Sequence, residues 1–296
     1  MTRILQDLAQ VSDHYDAVFC DLWGCLHDGK APFPAAVAAL QAYRRRGGVV
    51  VLLTNAPRPR ASVIAQLDRM GCPRDTWDEI VTSGDAAQYA LLSGAVGRKV
   101  YFIGAEKDEP FFTDFAADLA ELARTAPPIT RVDLDQAEGC VCTGLRDDSR
   151  EVPEDYHLTL LRLKNRDLPM LCANPDVVVD YGDQRLWCAG ALARDYERLG
   201  GKALYFGKPH PPIYDLARRR LQALIRGRDP QILCIGDGIH TDVQGGLGEG
   251  LDTLFVTGGI AADAFGPDAE NPDPRLVQPW LDRHKLSATY AIGKLR

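Results

Sequence analysis

Several residues far apart in this chain each follow a run of apolar residues, and each brings a group able to handle phosphate or a metal ion. Asp21 closes "AVFCD", Thr54 and Asn55 close "GVVVLLTN", Lys208 ends "KALYFGK", and Asp237 follows "QILCIG" with Asp242 five residues on. Three carboxylates, a hydroxyl and an ammonium are the parts of a phosphoryl-transfer site. Carboxylates collect Mg²⁺, which prefers oxygen ligands. The metal and the lysine offset charge on the transferred group, while the threonine hydroxyl and nearby backbone N–H groups fix its oxygens. One carboxylate can attack phosphorus and form an aspartyl-phosphate, splitting one hard step into two. Singly, an acid after a strand is a common turn former or helix cap, and Thr-Asn is ordinary turn chemistry. The repetition at four strand ends is what points to a shared site.

The elements that must position these groups are legible as alternating runs. "AVFCD" and "GVVVLLTN" read as buried strands, separated by a helix over "PAAVAALQAYRRRGG", with Pro34 suited to its first turn and Gly47 to its end. A second helix follows over "ASVIAQLDRMGC". The same grammar returns in "KALYFGK", "IYDLARRRLQALI", "QILCIGDG", "VQGGLGEG" and "TLFVTGG". Continuous apolar strands alternating with helices predict a parallel sheet covered on both faces. In such a sheet ligands bind beyond the carboxyl ends of the strands. Between the two parts lie further strand candidates, "KVYFIGAE", "ITRVDLDQ", "EGCVCTGL" and "LPMLCANPDVVVD", with helical pieces in "FFTDFAADLAELAR" and "YHLTLLRLKNR". The expected class is α/β: a Rossmann-like, doubly wound parallel-sheet core from residues 1–83 and 188–296, with a smaller α/β domain inserted at 84–187.

Composition narrows the function classes. A chain of 296 residues with a formal charge of -7 has no basic excess with which to grip nucleic acid. The clusters Arg44 to Arg46 and Arg218 to Arg220 read as polar faces near helix ends. No apolar stretch is long enough to cross a bilayer and the N-terminal residues carry acids, so a cytoplasmic protein without membrane contact is expected. Eight scattered cysteines, among them Cys20, Cys172 and Cys234 inside apolar runs, fit reduced buried thiols better than a disulfide framework. Cys140 and Cys142 share one strand face but lack the further ligands a zinc clip needs.

"DLWGCL", "LLTNAPRP", "FGKPHPPIY" and "IGDGIHTDVQGG" resemble, in order and spacing, the four motifs of the haloacid dehalogenase-like phosphatase superfamily. The insertion between the second and third motifs, with "ANPDVVVD" followed by "CAGALARDYERLGG", is similar to the cap of its subclass IIA. That group includes 4-nitrophenyl phosphate, nucleotide and pyridoxal phosphate phosphatases. The resemblance implies Asp21 as nucleophile and magnesium ligand, Thr54 as a holder of the phosphoryl group, and Asn55 as a shaper of the same loop. Lys208 would bridge phosphate and nucleophile, and Asp237 and Asp242 would place Mg²⁺ directly or through water. The cap would select a small phosphorylated metabolite, with Asn174 and Asp176 as contact or positioning residues. Relatives often pair through the cap, which makes a homodimer the expectation.

Family members that hydrolyse ordinary phosphomonoesters carry a second aspartate where this chain has Trp23. In the family its backbone carbonyl ligates magnesium, and its carboxylate protonates the leaving group and then assists water. Tryptophan keeps the carbonyl and loses the carboxylate, so Trp23 is expected to serve the metal, and its indole to stack on a flat substrate, close against the cap or act as hydrophobic fill. General acid–base catalysis contributes about 10²–10⁴-fold, so a slow hydrolase is expected unless His27, Asp28 or His240 supplies the proton. Two other readings stay open. A catalytically degenerate phosphate-ligand binder or regulatory protein on the same frame would retain the metal site without turnover. A dinucleotide-dependent oxidoreductase would suit the sheet grammar, but the first strand leads into "DLWGCL" and not into G-x-G-x-x-G.

Overall fold

A computed structural model of the chain describes residues 2–181, 184–227 and 229–296. The chain begins with β1 (Arg3–Ile4), β2 (Ala17–Cys20), β3 (Val49–Thr54) and β4 (Glu79–Thr82). It continues through β5 (Lys99–Ile103), β6 (Thr130–Arg131), β7 (Gly139–Cys142), β8 (Met170–Cys172), β9 (Val178–Tyr181), β10 (Gln184–Trp187) and β11 (Ala203–Tyr205). It closes with β12 (Ile232–Gly236), β13 (Asp252–Val256) and β14 (Tyr290–Ile292). Seven strands form one parallel sheet in the order β1-β14-β13-β12-β2-β3-β4. A second parallel sheet runs β11-β8-β7-β5-β6, and β9 and β10 make a separate antiparallel hairpin.

The continuous apolar strands are explained by burial on both faces. Successive side chains point to opposite sides, so Val18, Cys20, Val50 and Leu52 pack on one side of the larger sheet. They meet Val37 and Leu40 of the helix Pro34–Arg45, and Val63 and Leu67 of the helix Arg60–Arg69. Ala17, Phe19, Val51 and Leu53 pack on the other side against Ile213, Tyr214 and Ala217 of the helix Pro211–Leu224. Strand order reverses between β2 and β12, which opens a crevice at their carboxyl ends, where Asp21 and Asp237 stand. Among the described residues no helix is long and apolar enough to cross a membrane. All eight cysteines are free and buried, as the apolar runs around them imply.

Four local expectations are corrected. The strand leading to Lys208, expected in the larger sheet, pairs with β8 in the smaller one. Its three residues are only partly buried. Its partner is selected by the preceding helix Ala189–Arg198, whose Ala189, Leu192, Ala193 and Tyr196 pack into the smaller unit's core. The smaller sheet therefore extends to Tyr205, beyond the expected limit at residue 187. "LPMLCANPDVVVD" is two strands in different sheets, β8 and β9, with the Asn174–Asp176 turn between them. "FFTDFAADLAELAR" contains two short helices, Pro110–Thr113 and Ala120–Thr125, parted at Asp114, whose backbone is extended. Arg220, read as part of a polar face, is buried, where its guanidinium pairs with Asp85 and Asp118 and donates to the Ile80 carbonyl.

Candidate active site

Asp21 leaves β2 at the crevice and donates its backbone N–H to the Ile235 carbonyl of β12. Lys208 arrives from the smaller unit, and its Nζ lies 2.6 Å from Asp21 Oδ1 and 2.7 Å from Asp242 Oδ1. Asn55 holds the lysine's main chain. Its Oδ1 accepts the Lys208 N–H at 2.7 Å, and its Nδ2 donates to the Lys208 carbonyl at 3.0 Å and to Asp176 Oδ1 at 2.8 Å. Asn174 in turn accepts the Asp176 N–H at 3.0 Å, so the "NPD" turn is tied to the loop after β3. Thr54 is buried on the crevice wall, and its Oγ1 accepts the Ala56 N–H.

Asp237 reaches the same place from β12. Its Oδ2 accepts the Ile260 N–H at 2.8 Å. Gly24 has φ +72°, and a Cβ there would stand 2.0 Å from that same oxygen, so both backbone conformation and space demand glycine after Trp23. Asp21, Asp237 and Cys25 present ligand atoms all within 4.8 Å of one another. Cys25 was not anticipated; a thiol two residues beyond Trp23 in a buried turn carries no sequence signal of its own. Asp242 stands apart from that trio. Its Oδ1 takes the Lys208 ammonium, and its Oδ2 accepts the Gly238 N–H and the Thr241 hydroxyl at 3.1 Å each.

Three buried carboxylates, Asp21, Asp237 and Asp242, face one ammonium, so their fully ionised form carries two negative charges without a cationic partner among the described residues. Burial pushes the Asp21 carboxyl well above the usual range; Lys208 opposes this, and Asp242 and Asp237 reinforce it. Burial, with repulsion from Asp242, pushes Asp237 up to about 7. For Lys208 burial works against the charged form, but Asp21 and Asp242 overrule it and hold the ammonium well above its ordinary value. A divalent cation would supply the missing charge. Asp21 and Asp237 would hold it together with the Trp23 carbonyl, which accepts no hydrogen bond among the described residues. Burial keeps the Cys25 thiol protonated, so the oxygen-rich donor set suits a hard ion such as Mg²⁺.

A cavity of 710 Å³ lies between the two units, lined by Asp21, Trp23, Thr54, Asn55, Asn174 and Asp176. Trp23 also lines the adjoining 950 Å³ space, which carries Lys208, Asp237 and His240. Its indole packs edge-on to His27, with centroids 5.0 Å apart, and at a tilt to Tyr181 of the β9–β10 hairpin at 6.1 Å. It thus meets the smaller unit. Of the three residues weighed as replacements for the missing acid, His27 is 1% exposed, accepts the Gly29 N–H on Nδ1, and lines neither space. Burial lowers its pKa to about 4, which makes it a neutral core imidazole. Asp28 caps its own turn by accepting the Lys30 and Ala31 N–H groups, which favours its ionised form. His240 faces Gln244 and His284 at 3.3 Å each.

The chain is similar to several known proteins. Residues 18–116 match a family model described as haloacid dehalogenase-like hydrolase, and residues 205–279 match a second, HAD-hydrolase-like model. A crystal structure of a haloacid dehalogenase-like family hydrolase from Brucella suis is 38% identical, with a TM-score of 0.84 over 99% of this chain and 100% of that one. The ribonucleotide monophosphatase NagD of Escherichia coli is 26% identical, over 83% of this chain and 88% of its own. The D-glycerol 3-phosphate phosphatase of Mycobacterium tuberculosis is 25% identical, over 97% and 74% respectively. By sequence and fold together, this chain belongs to the haloacid dehalogenase-like hydrolase family, in its class IIA.

Proposed function

We propose that the protein is a magnesium-dependent phosphatase of small phosphorylated metabolites that works through an aspartyl-phosphate on Asp21, slowly because Trp23 replaces the acid. The observation that carries this reading is the meeting of Asp21, Lys208, Asp237 and Asp242 in one buried, negatively charged crevice. The similarity to NagD and to the glycerol 3-phosphate phosphatase supports the phosphatase class. When bound, Mg²⁺ would neutralise the carboxylates and polarise the phosphoryl oxygens. Lys208 holds the Asp21 carboxylate in place and faces the same charge, while Asn55 fixes the lysine's backbone. The Thr54 hydroxyl, whose oxygen accepts the Ala56 N–H, donates to no acceptor among the described residues and would donate to a phosphoryl oxygen.

Asp21 would attack phosphorus, expelling the alcohol or phenol as its oxyanion, and water would then cleave the acyl phosphate to regenerate the carboxylate. The indole of Trp23 can neither protonate the leaving oxyanion nor take a proton from the attacking water. Loss of that proton transfer is worth about 10²–10⁴-fold, or roughly 3–5 kcal/mol of barrier. Substrates with good leaving groups, such as aryl or acyl phosphates, suffer least in the first step.

One observation favours a degenerate phosphate binder as a second reading: His27 is packed away from the crevice and Asp28 is bound to its own turn. Magnesium-dependent release of 4-nitrophenol from its phosphate separates the two. A phosphatase releases it slowly as wild type, more slowly still as Asp21→Asn, and up to 10²–10⁴-fold faster as Trp23→Asp. Equal inertness of the wild type and Asp21→Asn, with gain in Trp23→Asp, selects the binder.

A further inference from the structure

The 710 Å³ crevice is lined by four basic side chains, Lys30, Arg58, Arg69 and Lys107. Two of these have partners in the wall. Lys107 is ion-paired with Asp148, and Lys30 lies over the Tyr181 ring at 5.9 Å. Arg58 and Arg69 form no ion pair among the described residues. Arg58 uses one nitrogen, Nη2, to donate to Gln66 Oε1 at 2.5 Å, and Gln66 is neutral. The remaining guanidinium donors have no protein acceptor among the described residues. Arg69 is exposed at the end of the helix Arg60–Arg69, close enough that its charge repels that of Arg58.

Nearby acids cancel the pair only in part. Asp108 shares this end of the crevice, attracts Arg58 across it and accepts the Thr143 hydroxyl on Oδ2 at 2.9 Å, and Asp148 is taken by Lys107. Arg58, Arg69 and Lys107 against Asp108 and Asp148 leave one positive charge in excess at this end. Two guanidinium groups thus line one wall of a crevice otherwise rich in carboxylates.

Arg58 is also rigidly mounted. It lies between Pro57 and Pro59, whose rings fix φ. The loop is pressed against the helix Ser83–Leu92 at Gly84, which donates its N–H to the Ala56 carbonyl at 3.0 Å. A Cβ at Gly84 would fall 2.3 Å from the Pro57 carbonyl oxygen and 2.7 Å from that of Arg58. A planar, preorganised guanidinium fork loses little freedom when it takes a carboxylate or phosphate. Arg58 stands four positions after Thr54, so their Cα atoms are at most about 14 Å apart. Asp21, Thr54 and both arginines line the same 710 Å³ cavity.

We propose that Arg58, assisted by Arg69, is a binding subsite for a second anionic group, a carboxylate or a further phosphate, on the phosphomonoester whose first phosphate meets Asp21 and Thr54. The proposal rests on the phosphatase reading of that site and deepens it: the preferred substrates are small phosphorylated acids or bisphosphates.

Calorimetric binding in Mg²⁺ tests it with two matched pairs, 3-phosphoglycerate against glycerol 3-phosphate and fructose 1,6-bisphosphate against fructose 6-phosphate. Wild-type protein should bind the member with the second anion more tightly in at least one pair, and the pair that discriminates identifies the anion. Arg58→Gln should reduce that preference on the order of 10- to 100-fold, the range for a lost charge-assisted hydrogen bond. Arg58→Lys should retain part of it. Arg69→Gln, a change at an exposed helix end that does not endanger folding, should reduce it by a smaller factor. The subsite is overturned if the wild type shows no preference in either pair, or if Arg58→Gln and Arg69→Gln both keep the wild-type ratio. Because binding is read independently of turnover, a preserved preference without hydrolysis of any ester removes the phosphatase reading alone. Hydrolysis with an unchanged ratio in both variants removes the subsite alone.

Discussion

Replacing Asp237 by asparagine should make the metal-free protein more stable while destroying its response to magnesium. Asp237 is 8% exposed, and burial with repulsion from Asp242 moves its carboxyl from the usual 3.8 to about 7. The folded state therefore holds a proton that the unfolded state has released between about pH 4 and 7, and stability falls as pH rises through that window. At pH 8 the ionised carboxylate costs the fold about 4 kcal/mol at most, taking 1.36 kcal/mol per pKa unit. Asparagine keeps an oxygen for the Ile260 N–H and removes the charge, so Asp237→Asn should gain about 2–4 kcal/mol without metal. That corresponds to a rise in Tm of roughly 5–10 °C. Magnesium at a hundred times its Kd should add about 2.7 kcal/mol to the wild type and far less to the variant. Thermal melts of both proteins at pH 5 and pH 8, in chelator and in Mg²⁺, provide the assay. If Asp237→Asn melts at or below the wild-type temperature in chelator at pH 8, the reasoning that a buried excess of negative charge awaits a cation is wrong.

Two further substitutions probe the frame. Asn55→Ala removes the clamp on both backbone groups of Lys208 and the link to Asp176. Turnover should fall on the order of 10²-fold through mispositioning, with magnesium affinity by calorimetry unchanged; a proportional loss of magnesium binding would refute a purely positioning role. Arg220→Met leaves Asp85, which is fully buried, without its ion-pair partner and with only the Arg60 N–H on Oδ1. It should cost about 3–5 kcal/mol in urea unfolding, and the double variant with Asp85→Asn should recover part of that loss. Additive effects of the two changes would contradict the direct pairing.

The sequence alone determined the parallel-sheet grammar, the order of the strand-end residues and the chemistry they share. Strands buried on both faces must be apolar throughout, as β2, β3 and β12 are, and their last residues must face the same crevice wherever the sheet is parallel. Tertiary structure decided what depends on partners distant in the chain. The three residues of β11 carry no mark of which sheet they join, because that choice belongs to the helix packed before them. Arg220 reads like any helix-end cation until Asp85 and Asp118 enclose it. The same holds at the site: only the fold turns His27 into the core, brings Trp23 against Tyr181, engages Asp242 with Lys208, and leaves Arg58 on the crevice wall with no ion pair among the described residues. Local pattern specifies which face of an element is apolar. Which charges end up compensated is set by the contacts between elements, and that balance is what distinguishes a metal site from a salt bridge.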